Sequence, residues 1–234
     1  MVNGLEMTEA LLKASNREEL AIRCRLHHCE RVADKAVDLL LLETQKNDTS
    51  WSNNDIELYR NACQMHDCVK YLVSTKEHGV PASELFQVIY KDVESVHFDN
   101  IKMALHSHSR KELSQAMSGD DFIPLRCLML ADTIDKIALE SILYSYIGLT
   151  GNPKDVSSYI IKIRGKIMQY WSKCKNTFDN KKDIDSYISR EISLRIRDYA
   201  NMNMIIVDCN DIVMGAYPKA VGTADSGYLK RCKR

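Results

Sequence analysis

The chain has 234 residues, 32 basic against 32 acidic side chains and 7% aromatic content, enough for one domain and an extension with no net charge. Cancelled charge argues against a surface built to coat nucleic acid, so no nucleic-acid partner is expected. The longest apolar run, "AVDLLLLET", falls far short of a membrane span, so no membrane partner is expected either, while a homo-oligomer stays open.

The opening stretch "MVNGLEMTEALLKAS" has neither a long apolar core nor a small-residue cleavage site, so no secretory leader is expected. The eight cysteines are scattered and read as reduced thiols of a cytoplasmic protein rather than as a disulfide framework. From about residue 18 to 46, Ile22, Leu26, Cys29, Ala33, Ala36 and Leu40 recur in alternating steps of four and three, the period of an amphipathic helix. "SWSNNDIELYRNACQMHDCVKYL" opens on Ser/Asn capping candidates. It keeps helical spacing through Leu58, Ala62, Met65, Val69 and Leu72, which predicts one unbroken helix to residue 72. "PASELFQVIYKDVES" begins with a proline, which the first helical turn tolerates.

Further helices are predicted at about 99–107, 121–147, 154–175 and 182–204. The β-branched run in "MNMIIVDCNDIV" is either a short strand or the end of a helix. A break from Gly148 to Pro153 separates a helical domain over 17–148 from a helical extension and tail over 149–234, and the fold class is all-α. The basic terminus "GYLKRCKR" reads as a solvated tail.

Polar groups gather where apolar ones are expected. At about 100° per residue, His66, Asp67 and Lys70 fall on an arc apart from the apolar stripe of their predicted helix. His28 sits on the preceding helix, with Arg31 one turn on. His78 stands at the turn "HGVPAS", and His106 and His108 near the end of "NIKMALHSHS". Asp132 follows five apolar residues out of six in "RCLMLAD", with Asp135 one turn later. A carboxylate in such surroundings is costly unless cations or hydrogen-bond donors receive it.

Taken together these residues read as a metal site. Imidazole nitrogens and aspartate oxygens from several segments suit iron, manganese, zinc or cobalt better than calcium. A metal there turns water into hydroxide near neutral pH, and a pair of metals clamps an in-line displacement at phosphorus. Two other readings stay open. Cys24/His28 with Cys63/His66 is a conceivable zinc set, which leaves Asp67 and Asp132 unexplained. Arg31 suits either a phosphate or a carboxylate partner.

The stretches "HCERV", "HDCVK", "HGVPA", "ALHSHS" and "LADTID", over about residues 20–140, resemble the HD-domain phosphohydrolases. The resemblance implies an HD-type helical bundle with His28, His66, Asp67 and Asp132 as ligands of a primary metal. It implies Asp67 as the bridge to a second metal completed by His78 and His108, with His106 in reserve. Lys70 corresponds to the family's phosphate-facing lysine and Asp135 to a second acidic position on the substrate side. The pattern is most similar to the subset that includes bacterial diadenosine tetraphosphate hydrolases, which implies iron first among iron, manganese, zinc, cobalt and magnesium. The implied activity is metal-dependent hydrolysis of a phosphate ester or anhydride in a nucleotide or another phosphorylated small molecule. Asp67 and Lys70 are then the catalytic candidates, and Lys70, Arg31 and Asp135 the substrate-binding ones. A non-catalytic nucleotide- or metal-binding regulatory module on the same fold is the alternative; the complete His/Asp set favours the enzyme.

Overall fold

The computed structural model describes residues 1–45, 51–73, 77–109, 122–138 and 156–208. Among them there are eight α-helices and no strand: α1 (Gly4–Lys13), α2 (Glu19–Thr44), α3 (Asn53–Gln64), α4 (Gly79–Tyr90), α5 (Phe98–Ser107), α6 (Ile123–Asp135), α7 (Val156–Cys174) and α8 (Lys181–Asp208). The all-α expectation holds for these residues. The helix expected over 121–147 appears as α6, ending at Asp135; residues 139–155, with the expected break, lie outside the described residues. Residues 202–208 of "MNMIIVDCNDIV" continue α8 rather than forming a strand, and 209–234, including the basic terminus, lie outside the described residues.

Two elements depart from the sequence reading. The first is α1, for which no helix was expected. Asn3 caps it, its side chain accepting hydrogen bonds from the Leu5 and Glu6 N–H groups at 2.9 and 3.3 Å. Its buried residues are Gly4, Thr8 and Leu12, so only one large apolar side chain marks the inward face. Gly4 lies so close to α3 that an added Cβ would stand 2.4 Å from the Asn61 carbonyl oxygen. The Gly4 N–H donates to Asn61 Oδ1 at 2.7 Å.

The second departure is that α3 stops at Gln64 instead of running to residue 72. Beyond it the chain winds in tight turns whose N–H groups reach back three residues: Cys68 to Met65 at 3.0 Å, Lys70 to Asp67 at 3.0 Å and Leu72 to Val69 at 2.9 Å. The Thr8 hydroxyl donates to the Gln64 carbonyl at 2.9 Å. That carbonyl is the one an α-helix would offer to the Cys68 N–H, which bonds Met65 instead. Helix α1 thus meets the chain where α3 ends.

Contacts divide the chain into two units, Met1–Thr133 with Tyr170–Asp185, and Ile134–Gln169 with Ser186–Arg234. In the first, α2 packs on α3, α1 on both, α4 on α5, and α3 on α5. Its core holds Leu12, Val32, Leu39, Leu40, Leu58, Tyr59, Phe86 and Leu105, all fully buried. Cross-links then fix the helix ends. Ser52 caps α3 in a reciprocal capping box with Asp55. Asp55 also bonds the Ser95 hydroxyl, and Trp51 stacks on His97 with ring centroids 4.0 Å apart, joining the start of α3 to the start of α5. The Tyr59 hydroxyl donates to the Pro124 carbonyl at 2.7 Å, tying α3 to the start of α6. Glu43, fully buried at the end of α2, accepts the N–H groups of Asp179 and Asn180 at 2.7 and 3.0 Å, which docks the corner before α8 onto this unit. In the second unit Ile163, Ile167, Ile188 and Ile192 are buried at helical spacing. Among the described residues no helix is long and apolar enough to cross a membrane.

Candidate metal centre

Four segments of the first unit deliver the site. His28 comes from the middle of α2, and His66 and Asp67 from the tight turns after α3. His78 immediately precedes α4, and His108 follows α5. All five are buried, and their ligand atoms form two groups that share one carboxylate: His28, His66 and Asp67, and Asp67, His78 and His108. Within each group the ligand atoms lie within 4.8 Å of one another. His28 and His66 Nε2 each stand 3.7 Å from Asp67 Oδ2, and His78 Nε2 stands 2.9 Å from Asp67 Oδ1. The two groups thus approach opposite oxygens of one side chain.

Backbone carbonyls select the ring tautomers. His66 Nδ1 lies 2.7 Å from the Cys63 carbonyl oxygen, and His108 Nδ1 lies 2.7 Å from that of Leu105. A carbonyl oxygen only accepts, so Nδ1 carries the proton and each Nε2 presents a lone pair. Metal-ligating imidazoles are held in this way. His108 Nε2 faces His78 Nε2 at 3.0 Å. A single proton on His78 Nε2 then serves either His108 or Asp67, never both.

His66 Nε2 is buried and makes no hydrogen bond. Burial pushes His66 down to about 3 and His108 down to about 4, so both rings stay neutral near pH 7 and keep their lone pairs. Imidazole lone pairs converging on one buried carboxylate are what a divalent ion satisfies. The donor set fits such an ion.

Asp67 is 1% exposed, and burial alone would push its carboxyl up. Against burial stand His66, Lys70 and Arg25 with a hydrogen bond from His78, and together they hold it well below the usual carboxylate range. The two cations are the lasting part of this effect, because His66 is neutral near pH 7. Lys70 Nζ and Arg25 Nη1 both reach Asp67 Oδ2, at 2.7 and 2.6 Å. Arg25, one helical turn before His28, was not among the residues singled out from sequence. It lies on the polar side of α2, one turn from His28, and only its distant carboxylate partner marks it.

His66, Asp67 and Lys70 converge, but through tight turns and not as an arc on a continuous helix. Asp132 lies with Oδ1 3.3 Å from His28 Nε2 and a side chain 30% exposed, so it is less stranded than its apolar neighbours suggested. Arg31 is half-buried on α2. Asp135, the last residue of α6, is fully buried and joins neither group. His106 lies outside both groups, 3.4 Å from the Ser83 hydroxyl. Cys24 and Cys63 also lie outside them. The six described cysteines are all buried and unpaired by disulfide, which agrees with packing roles.

Comparisons with family profiles, with curated proteins and with solved structures return no match for this chain.

Proposed function

We propose that this chain is an HD-type, metal-dependent phosphohydrolase acting on a nucleotide or a related phosphate ester or anhydride. The observation that carries the reading is Asp67. One buried carboxylate is shared by two histidine groups and flanked by two cations. His28, His66 and Asp67, with Asp132 beside His28, would hold one divalent ion, and Asp67, His78 and His108 a second. Iron is the first candidate, from the resemblance, ahead of manganese, zinc, cobalt and magnesium. Such an ion supplies Lewis acidity, which lowers the pKa of a coordinated water and draws charge from a phosphoryl oxygen.

The chain's own residues do the rest. Asp67 orients both groups, and the Cys63 and Leu105 carbonyls keep His66 and His108 aimed inward. Lys70, a quarter exposed beside Asp67, offsets charge that builds on phosphate oxygens, and Arg31 on α2 assists from the same helix as His28. The reading has the protein in the cytoplasm, where its cysteines stay as thiols. It is tested by assaying purified protein with Mn²⁺ or Fe²⁺ against mononucleotides, dinucleoside polyphosphates and model phosphodiesters. Turnover that disappears with Asp67→Asn is expected. Metal uptake without turnover of any of them would favour a regulatory binding module instead.

A further inference from the structure

Asp67 Oδ2 is held by two cations at once, Arg25 at 2.6 Å and Lys70 at 2.7 Å. Two full positive charges therefore meet one formal negative charge, and Asp132, a further carboxylate near the cluster, faces His28. Arg25 is spread thinly over its possible partners. Nη1 serves Asp67, while the Nε–H is buried and makes no hydrogen bond. Tyr71 Oη is buried beside this guanidinium and interacts with it. The Tyr71 ring has Arg25 at 5.7 Å and Arg17 at 5.3 Å from its centroid, so two guanidiniums share one aromatic ring. Surplus positive charge beside an unbonded Nε–H donor is complementary to an anion with several oxygens.

We propose that Arg25 is an anion-binding side chain of this site, held on Asp67 until that carboxylate is committed to a divalent ion, and then available with Lys70 to a phosphate group. The inference rests on the metal-site reading above. With Asp67 so committed, its attraction for a guanidinium falls and a like charge stands near Arg25. The guanidinium can then turn its planar fork, including the Nε edge that has no partner now, to two phosphate oxygens. Tyr71 supplies a hydroxyl to the same group and a ring face that supports the fork. The consequence is an order of binding, metal first and anion second.

The test uses the full chain with Mn²⁺ and inorganic phosphate as probes, read by calorimetry. Wild type should bind phosphate about tenfold more tightly with Mn²⁺ than without it. Arg25→Gln should lose that gain while its Mn²⁺ affinity is not lowered, Arg25→Lys should keep part of it, and Tyr71→Phe should weaken phosphate a fewfold. The lysine variant keeps the charge that Asp67 needs, so it decides the matter if the glutamine variant fails to fold. Wild-type phosphate affinity in Arg25→Gln or Arg25→Lys, with Mn²⁺ bound, overturns the role of Arg25 and leaves the metal site standing. Wild-type protein that takes up no Mn²⁺ overturns both.

Discussion

Gly79 is where the close approach of α4 and α5 is most exacting, and Gly79→Ala probes it with a single methyl group. A Cβ there would lie 2.6 Å from the Leu105 carbonyl oxygen, 2.7 Å from that of His106 and 3.1 Å from Ser109 Oγ. Two of the three are backbone atoms at the end of α5 and cannot swing away. Ordinary contact begins at 3.4 Å, so the helix ends must part by about 0.8 Å. Overpacking of this kind costs ~1–3 kcal/mol. At this chain length that corresponds to a fall in Tm of roughly 2–4 °C per kcal/mol. The strain falls directly on the site, because His78 precedes Gly79 and His108 follows α5, their Nε2 atoms 3.0 Å apart. Scanning calorimetry with a Mn²⁺ titration should show a Tm lower by several degrees. Binding should weaken at the His78/His108 group and stay intact at the His28/His66 group. Gly165→Ala is the control, because nothing lies within 4 Å of its added methyl group and a mid-helix alanine gains about 1 kcal/mol over glycine. An unchanged Tm and a superimposable titration for Gly79→Ala would mean that α4 and α5 part there without strain.

Acid should destabilise the protein early. His66 at about 3 and His108 at about 4 are neutral in the fold, whereas an unfolded histidine titrates near ~6.5. Below that point the unfolded chain takes up protons that these rings refuse. Stability present above ~6.5 is therefore lost as pH falls toward the folded values, and the depressed Asp67 adds a further loss at lower pH. The urea midpoint should drop between about pH 7.5 and pH 5, and a flat profile over that window would contradict burial of neutral rings. Thr8→Val removes the hydroxyl that occupies the Gln64 carbonyl and should cost about 1 kcal/mol in chemical denaturation, with Thr8→Ser recovering most of it. A neutral Thr8→Val would mean that this hydrogen bond adds nothing to stability.

Long amphipathic segments were legible in the sequence because burial repeats along them. The inward stripe of α2 recurs often enough to be read without knowing its partners. Helix α1 was not legible, since Gly4 and Thr8 face inward through backbone approach and a hydroxyl, neither of which registers as apolar period. The end of α3 was hidden for a related reason. Met65, Val69 and Leu72 keep helical spacing through the tight turns, and the hydroxyl that meets the chain there lies 56 residues away in sequence. At the site, the histidines and Asp67 stood out because buried polar groups break an apolar pattern. Arg25 did not, because a lone arginine on an exposed-looking helix face carries no signal until its carboxylate partner, 42 residues on, is known.

Sharing of Asp67 by two candidate metal-binding groups is tested most directly by calorimetric titration of a divalent ion. Wild type should bind Mn²⁺. Asp67→Asn, with its fold checked by circular dichroism, should lose affinity at both groups by about a hundredfold or more, beyond the 10–100-fold typical of outer-shell partners. His66→Asn and His108→Asn should each weaken only one group. Wild-type protein that binds no divalent ion, or Asp67→Asn that binds it as tightly as wild type, would contradict the account.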